Sequence, residues 1–261
     1  MASRNLYRDK RFDVRYDALA PVYDRIMEHV KYEDWIMLLE KIIKKYLKTK
    51  DNLSILELGG GTGVLGKKLS EMGFSYQGSD YSFNMAKQSL KRNMQFVCAD
   101  ARKIPFKKKF DCILFLYDGI NYLSSIEEYK LLFEEVADCL TDGGIFLFDI
   151  TTEFNSMNHF YDYQDFEEYS DYSVIRHSYY NEINTTQHND FTIFNLQNIG
   201  TSLYRKYTEN HEQKVLPPQL IEETVPGRLL EILGIWDEFS MRKYSPRSER
   251  IHFLLKRHRR A

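Results

Sequence analysis

Apolar positions follow two different periods along the first part of this chain. Between 33 and 48 they recur at helical spacing, which predicts an amphipathic helix ahead of the first strand. Short apolar runs then alternate with helical segments, and Gly143 and Gly144 end the last of these helices. The pattern predicts strands at 53–58, 75–79, 95–98, 111–117 and 145–148, and helices at 63–72, 83–92 and 126–140. This alternation predicts a mainly parallel sheet with helices on both faces.

The pattern changes between about 155 and 215, where aromatic residues and period-two alternation take over. Segments 173–180, 191–196 and 202–207 predict strands of an antiparallel meander. After it, a helix at 220–233 and two closing strands at 236–242 and 250–255 are expected. We therefore predict one α/β domain formed by residues 1–154 and 216–261, and an inserted antiparallel β lid or substrate subdomain at 155–215.

A glycine-rich turn follows the first strand and opens the next helix. Gly59, Gly60, Gly61 and Gly63 remove the Cβ atoms that would keep a ligand away from the backbone, and they permit positive φ angles. A nucleotide-like ligand is expected there. Because residues 61–66 also satisfy the dinucleotide fingerprint G-x-G-x-x-G, an NAD(P)-dependent oxidoreductase remains an alternative.

The run Glu57-Leu58-Gly59-Gly60-Gly61-Thr62-Gly63 resembles the first motif, E/D-x-G-x-G-x-G, of the class I S-adenosylmethionine (SAM)-dependent methyltransferases. An acid two places before the first glycine favours SAM, because dinucleotide strands usually run apolar up to that glycine. The resemblance implies a Rossmann-like, mainly parallel seven-stranded sheet with an N-terminal helical segment and a β insertion after the fifth strand. It also implies SAM as cofactor and S-adenosylhomocysteine as product.

Residues that follow the strands have the chemistry to hold such a ligand, because ligands of open α/β sheets lie outside the carboxyl ends of the strands. Asp80 follows the second strand, where a carboxylate can accept hydrogen bonds from both ribose hydroxyls. The resemblance implies that Tyr81 and Met85 enclose the adenine ring, and that Asp100 and Ala101 bind its edge.

Further resemblance lies outside the strand ends already named. The segment from Tyr16 to Met27 is similar to the Y-D-x-x-A-x-x-Y-D opening of small-molecule and uncharacterised bacterial SAM methyltransferases, which folds over the cofactor. Tyr16 and Tyr23 are two helical turns apart, so on a helix both would face the same way. Tyr117 begins a stretch similar to the fourth family motif, where cofactor and methyl acceptor meet, and 245–253 looks like the last hairpin of the family.

Methyl transfer from a sulfonium is an in-line displacement that needs no metal or protein nucleophile, so no metal site is predicted. A hydroxyl acceptor would need a general base, whereas an amine must be bound in, or converted to, its neutral form. Near the expected mouth of the site the candidates are Asp118, Tyr122, His177 and His211. The sequence assigns the role of base to none of them.

Composition limits the classes of partner and the compartment that are expected for this protein. A formal net charge of −2 over 261 residues gives no general attraction to nucleic acid or to anionic membranes. Cys98, Cys112 and Cys139 are odd in number and lack metal-site spacing, which is typical of a reducing cytoplasm. No leader segment or membrane-length apolar run is found. A cytoplasmic enzyme is expected, with a homodimer through the insertion as a further possibility.

The leading interpretation is a SAM-dependent methyltransferase that methylates a nitrogen or oxygen atom of a small molecule. RNA or protein methylation is an alternative, although no Asn/Asp-Pro-Pro-aromatic motif follows the fourth strand. The oxidoreductase alternative lacks a recognisable Tyr-x-x-x-Lys catalytic pair after the fourth strand. A SAM-binding regulator without turnover would keep the same glycines and Asp80.

Overall fold

The computed structural model describes residues 15–47, 52–198 and 200–259, which fold into two β-sheets and the helices around them. The helices are α1 Tyr23–Ile26, α2 Tyr32–Tyr46, α3 Val64–Glu71, α4 Phe83–Leu90, α5 Ile126–Cys139, α6 Glu153–His159 and α7 Pro218–Thr224, with 3₁₀ turns at Gly119–Tyr122 and Glu238–Ser240. The strands are β1 Ser54–Glu57, β2 Ser75–Asp80, β3 Phe96–Cys98, β4 Phe110–Phe115, β5 Leu140–Thr151, β6 Asp162–Glu168, β7 Tyr172–Asn181, β8 Thr186–Leu196, β9 Tyr204–Lys214, β10 Leu230–Asp237, β11 Arg242–Lys243 and β12 Arg250–Arg257.

The larger sheet confirms the predicted α/β class. Its strand order is β11-β10-β12-β5-β4-β1-β2-β3. The five strands β1 to β5 are all parallel to one another. β12 pairs antiparallel with both β5 and β10. The strand order reverses at β1, between β2 and β4, and this switch point is where open α/β sheets form a ligand crevice.

The sheet has eight strands instead of the seven expected. The eighth is β11, whose two residues pair with Trp236 and Asp237 at the edge of the sheet. Such a short exposed strand has no periodicity that a sequence pattern could reveal.

Each face of the larger sheet is covered by its own apolar cluster. On β5, Phe146 and Phe148 pack with Phe133 of α5, while Ile145 and Leu147 belong to the cluster that contains α2 on the other face. Successive side chains of a strand point to opposite faces, so a strand buried on both sides is apolar at every position. This is why β1, β4 and β5 were predictable from apolar runs, whereas β2 is buried although its sequence is mostly polar.

The smaller sheet is an antiparallel meander in the order β6-β7-β8-β9. Three of its strands were expected. β6 was missed because its sequence is mostly polar and exposed, as an edge strand can be. Tyr172, Val174 and Ile193 pack against Leu19 and other residues of the segment 15–30, which we call the N-terminal cap. The cap is thereby attached to this sheet.

The strand expected at 236–242 is wrong in its bounds, because β10 ends at Asp237 and a 3₁₀ turn follows, and two predicted helix ends are wrong as well. The helix expected at 220–233 ends at Thr224, and the rest of its apolar residues form β10, which pairs with β12. Pro226 and Gly227 separate the two elements because neither residue favours a helix interior. Likewise α5 ends at Cys139 and Gly143 lies within β5, where its φ is +81°. Among the described residues, no helix is both long enough and apolar enough to cross a membrane.

Candidate functional site

The glycine loop lies between β1 and α3 at the switch point of the sheet. Gly59, Gly61 and Gly63 have φ angles of +60°, +57° and +80°. A Cβ atom at Gly59 would lie 2.8 Å from the ring of Phe115 on the neighbouring strand β4. The loop therefore needs glycine both for its backbone angles and for its close packing.

Asp80 connects this loop to the end of β2. Its carboxylate accepts hydrogen bonds from the Gly61 amide at 2.8 Å and from the Ser82 amide at 2.7 Å. Ser82 in turn caps α4, because its hydroxyl accepts a hydrogen bond from the Met85 amide. The carboxylate is thus fixed at the mouth of the crevice by backbone groups on both sides.

A cavity of about 620 Å³ opens at the carboxyl ends of the parallel strands, and we call it the larger cavity. Predicted cofactor residues that line it are Tyr16, Tyr23, Gly59, Gly61, Asp80, Tyr81, Met85, Asp100, Ala101 and Tyr117. They come from the N-terminal cap and from the ends of four strands. The fold therefore gathers at one cavity residues that are 101 positions apart in the sequence, from Tyr16 to Tyr117.

The other predicted cofactor residues are Glu57, Gly60 and Gly63, which are not among the residues that line the larger cavity. Glu57 is buried and accepts a hydrogen bond from the Tyr76 hydroxyl, and a Cβ atom at Gly60 would lie 3.0 Å from its carboxylate. Burial raises the pKa of Glu57 to about 7, although the Tyr76 hydrogen bond opposes this shift. Glu57 thus supports the loop from below.

Asp100 is held by a neighbouring cation. The guanidinium of Arg102 pairs with its carboxylate at 2.6 Å, and the Arg102 amide donates a further hydrogen bond at 2.8 Å. Burial opposes ionisation of this carboxyl, but the Arg102 contacts outweigh it and lower the pKa of Asp100. The carboxylate therefore faces the larger cavity in its charged form.

The expectation that Tyr16 and Tyr23 share one helix is wrong. α1 includes only Tyr23, and Tyr16 has a φ of +63° because the chain turns before that helix begins. The Tyr16 amide donates to the Glu209 carboxylate at 2.7 Å instead of joining a helix. The two rings nevertheless meet edge to face at 5.7 Å.

A second cavity of about 360 Å³, the smaller cavity, lies between the N-terminal cap, the central sheet and the meander. Four tyrosines line both cavities: Tyr16, Tyr23, Tyr117 and Tyr122. We call them the tyrosine wall. Since the same side chains face both spaces, a ligand in one cavity would lie next to a ligand in the other.

Asp118 also lines the smaller cavity, where it is already engaged. Its carboxylate pairs with Arg250 at 2.8 Å and accepts a hydrogen bond from Gln213 at 2.6 Å. Arg250 also pairs with the buried Asp149. Burial raises the pKa of Asp118, and the charge of Arg250 offsets only part of that effect. The cluster joins β4, β5, β9 and β12 around the smaller cavity.

The other candidates for a general base lie in two places: Tyr122 and His211 line the smaller cavity, and His177 does not. Tyr122 and His211 line the smaller cavity and are hydrogen bonded to each other at 3.0 Å. His177 lies on β7, where it contacts Asp162 at 2.9 Å and its side chain is 41% exposed. It is not among the residues that line either cavity.

The comparisons with known proteins point to one enzyme class. A family profile of the methyltransferase domain matches residues 55–144, which run from β1 through the glycine loop into β5. Over 246 residues the chain is 29% identical to YqeM of Bacillus subtilis (strain 168), whose name describes a methyltransferase of unproven activity. That alignment covers 91% of this chain and 95% of YqeM. These matches identify the chain as a methyltransferase.

Solved structures share the fold of the methyltransferase. A SAM-dependent methyltransferase from Clostridium acetobutylicum superposes with a TM-score of 0.78 at 22% identity, covering 93% of this chain and 99% of that one. A SAM-bound amino pentose methyltransferase from Micromonospora echinaspora gives a TM-score of 0.69 at 16% identity, covering 98% and 100%. SAM-dependent methyltransferases therefore share this fold, and the methyltransferase match over residues 55–144 sets the dinucleotide alternative aside.

Sequence reasoning missed two charged residues of the methyltransferase, Glu209 and Arg250. Arg250 lies in the hairpin segment that resembles the family, so a signal for it existed, whereas Glu209 lies in the meander and had none. Both find their partners across long stretches of sequence: Glu209 contacts residues about 190 positions away, and Arg250 contacts Asp149 from 101 positions away. In the part of the chain that the structure describes, no cluster of three or more His, Cys, Asp or Glu could hold a metal ion.

Proposed function

We propose that the methyltransferase binds SAM in the larger cavity and transfers its methyl group to a nitrogen or oxygen atom of a small molecule in the smaller cavity. The observation that carries this proposal is the tyrosine wall, which lines both cavities. A displacement at carbon requires donor and acceptor to meet within contact distance. Two cavities that share their lining allow this meeting.

The larger cavity fits the cofactor. Asp80 would accept hydrogen bonds from the ribose hydroxyls, and the open backbone at Gly59 and Gly61 would admit the rest of the ligand. Tyr81 and Met85 would enclose the adenine, with Asp100 and Ala101 at its edge. Tyr16, Tyr23 and Tyr117 would contact the methionine end, while Glu57, Gly60 and Gly63 shape the loop. A cavity of about 620 Å³ is within the usual range for small-molecule sites.

The smaller cavity favours a small acceptor over a macromolecule. Phe191, His211 and Gln213 of the meander and Tyr16 of the N-terminal cap surround it, and its volume is about 360 Å³. The likeness to a SAM-bound amino pentose methyltransferase supports a small acceptor. The meander and the cap together would act as the cover of the site. A homodimer through the meander stays a prediction.

The activated methyl group is the chemistry that SAM supplies when it is bound. The protein has to align the acceptor with it and exclude water, and such orientation can lower a barrier by about 7 to 11 kcal/mol. Tyr16, Tyr23, Tyr117 and Tyr122 would provide that alignment, since their rings form the common boundary of the two spaces.

The test is methyl transfer from SAM with a tritiated methyl group to three fractions of Bacillus subtilis cells: metabolites that pass a small-molecule filter, total RNA and total protein. We expect label in the metabolite fraction, with excess S-adenosylhomocysteine as the inhibited control. Label in RNA or protein alone would contradict the proposed acceptor class.

A further inference from the structure

A continuous chain of hydrogen bonds leads from the tyrosine wall to a buried pair on β9. The hydroxyls of Tyr16 and Tyr122 are 2.7 Å apart, and the Tyr122 hydroxyl lies 3.0 Å from Nδ1 of His211. The other ring nitrogen of His211, Nε2, lies 3.2 Å from the Glu209 carboxylate. Glu209 and His211 are 6% and 1% exposed, so water competes little for these bonds.

When His211 is neutral, the chemistry of the groups determines which one donates and which one accepts in each of these hydrogen bonds. A carboxylate only accepts hydrogen bonds, so Nε2 of His211 must carry the proton that reaches Glu209. Nδ1 is then an acceptor, and it takes the hydroxyl proton of Tyr122. The Tyr122 oxygen in turn accepts from the Tyr16 hydroxyl. The chain therefore ends at the oxygen of Tyr16, which can accept a proton at the boundary of the two cavities.

Glu209 fixes more than the imidazole. Its carboxylate also accepts hydrogen bonds from the backbone amides of Tyr16, Ala18 and Leu19 in the N-terminal cap. One buried side chain thus sets the tautomer of His211 and the position of Tyr16. The chain is assembled only when the cap lies against β9.

We propose that this chain is a proton relay that removes the acceptor's proton, with Glu209 as its positioning residue. The inference rests on the proposed function. The acceptor heteroatom donates its hydrogen to the Tyr16 oxygen, the Tyr16 proton moves to Tyr122, and the Tyr122 proton moves to Nδ1 of His211. The heteroatom–carbon bond forms as the sulfur–carbon bond breaks, and the breaking pair stays on sulfur. The released proton rests on an imidazolium beside the Glu209 carboxylate.

The relay names the acceptor class more closely. It serves a group that must lose a proton, either a hydroxyl or an ammonium that has to become a neutral amine. Asp118, the carboxylate that lines the smaller cavity, is already paired with Arg250 and accepts a hydrogen bond from Gln213. His211 and its two phenols are therefore the base system that the geometry provides.

The first test needs no acceptor. Protein with ¹⁵N-labelled histidine is saturated with S-adenosylhomocysteine at pH 8, and two-bond proton–nitrogen correlations give the tautomer of each of the 7 histidines. His211→Gln assigns the signals. We expect His211 to carry its proton on Nε2, and Tyr122→Phe to shift its Nδ1 signal. A proton on Nδ1, or no response to Tyr122→Phe, would overturn the relay.

The second test separates catalysis from binding, with the labelled metabolite of the transfer assay as acceptor. Tyr122→Phe and His211→Gln should each lower kcat by about 100-fold or more, with the acceptor KM within about 3-fold of the parent value. Glu209→Gln keeps an accepting oxygen but loses the charge, so its kcat should fall by about 10-fold. A change confined to KM in these variants would contradict the relay.

His188→Gln is the matched control. His188 also lies on the meander beside a carboxylate, Glu212, at 3.6 Å, but it is not among the residues that line either cavity. Its kcat should equal that of the parent. Labelling of no metabolite would refute the proposed function itself, and the nuclear magnetic resonance result would still decide whether the hydrogen-bonded chain exists as drawn.

Discussion

A single carboxylate, that of Asp80, joins the glycine loop, the end of β2 and the start of α4. Both of its oxygens are already oriented by backbone amides, one from Gly61 and one from Ser82. A carboxylate oxygen has capacity for more than one hydrogen bond, so the ribose hydroxyls can be added without breaking these contacts. This pre-orientation reduces what must be ordered when the cofactor binds.

Asp80→Asn should weaken binding of S-adenosylhomocysteine by about 10-fold or more. Asparagine keeps one accepting oxygen for the backbone but loses the charge, and hydrogen bonds to charged groups contribute about 1.5–3 kcal/mol. Calorimetric titration measures the change. Asp142→Asn is the control, because Asp142 lies near the amino end of β5, away from the carboxyl ends of the strands. This variant should bind S-adenosylhomocysteine like the parent. Equal affinity in Asp80→Asn would show that the ribose lies elsewhere.

The sequence predicted site residues where a local pattern surrounds them. The glycine loop follows the apolar run of β1, and Asp80 lies 19 residues beyond Gly61 at the end of the next strand, so their place at the strand ends could be deduced. Glu209 could not, because it acts through amides of the cap about 190 positions away, and an acidic residue in a polar strand is usually solvated. Such residues can be identified only in the folded protein, where the N-terminal cap packs against the meander.

Helix α3, which carries the glycine loop, approaches β2 at one glycine. An added Cβ atom at Gly66 would lie 2.2 Å from the ring of Tyr76. Tyr76 has little room to move, because it is 7% exposed and its hydroxyl donates to Glu57. The contact sets the distance between α3 and the sheet.

Gly66→Ala should therefore lower the free energy of unfolding by about 1–3 kcal/mol, although alanine favours helices by about 1 kcal/mol over glycine. Urea denaturation measures the loss. Gly227→Ala is the control: no atom lies within 4 Å of its added Cβ atom, and the change should be within about 0.5 kcal/mol. Equal stability of Gly66→Ala and the parent would mean that α3 is free to shift.

Element prediction succeeded where one period persisted and failed where two elements share an apolar run. Strands β1, β4 and β5 contain apolar runs, and α2 and α5 keep their helical spacing. In 220–233 the apolar residues fit a helix, yet β10 forms because the edge of β12 accepts it as a partner. Pairing between distant strands is a tertiary effect that local periodicity does not report.

Two buried groups, His252 and Glu57, make the stability of the whole molecule change with pH in opposite directions. Burial lowers the pKa of His252 from 6.5 to about 3. Its contribution is complete above pH 6.5 and is lost as the pH falls toward 3, because only the unfolded chain then takes up the proton. Glu57, raised from 4.5 to about 7, contributes fully below pH 4.5 and loses this contribution as the pH rises to 7.

Between pH 4.5 and 6.5 the two slopes oppose each other. We expect His252→Leu to remove one of them, so that the difference in free energy of unfolding between parent and variant changes by up to about 1 kcal/mol per pH unit in this window. Urea denaturation at several pH values, run in parallel on both proteins, gives this difference. A difference that is independent of pH would show that His252 titrates normally in the folded state.

The packing of Trp35 makes the site visible without a label. The chain has 2 tryptophans, and Trp35 lines the smaller cavity with its ring 4.5 Å from that of Tyr117 in the tyrosine wall. Trp236 is equally buried, but it is not among the residues that line either cavity. Indole emission depends on nearby water and polar groups. A ligand that enters the smaller cavity should therefore change the intrinsic fluorescence of Trp35. Rapid-mixing kinetics can thus follow binding of the acceptor in the unmodified enzyme.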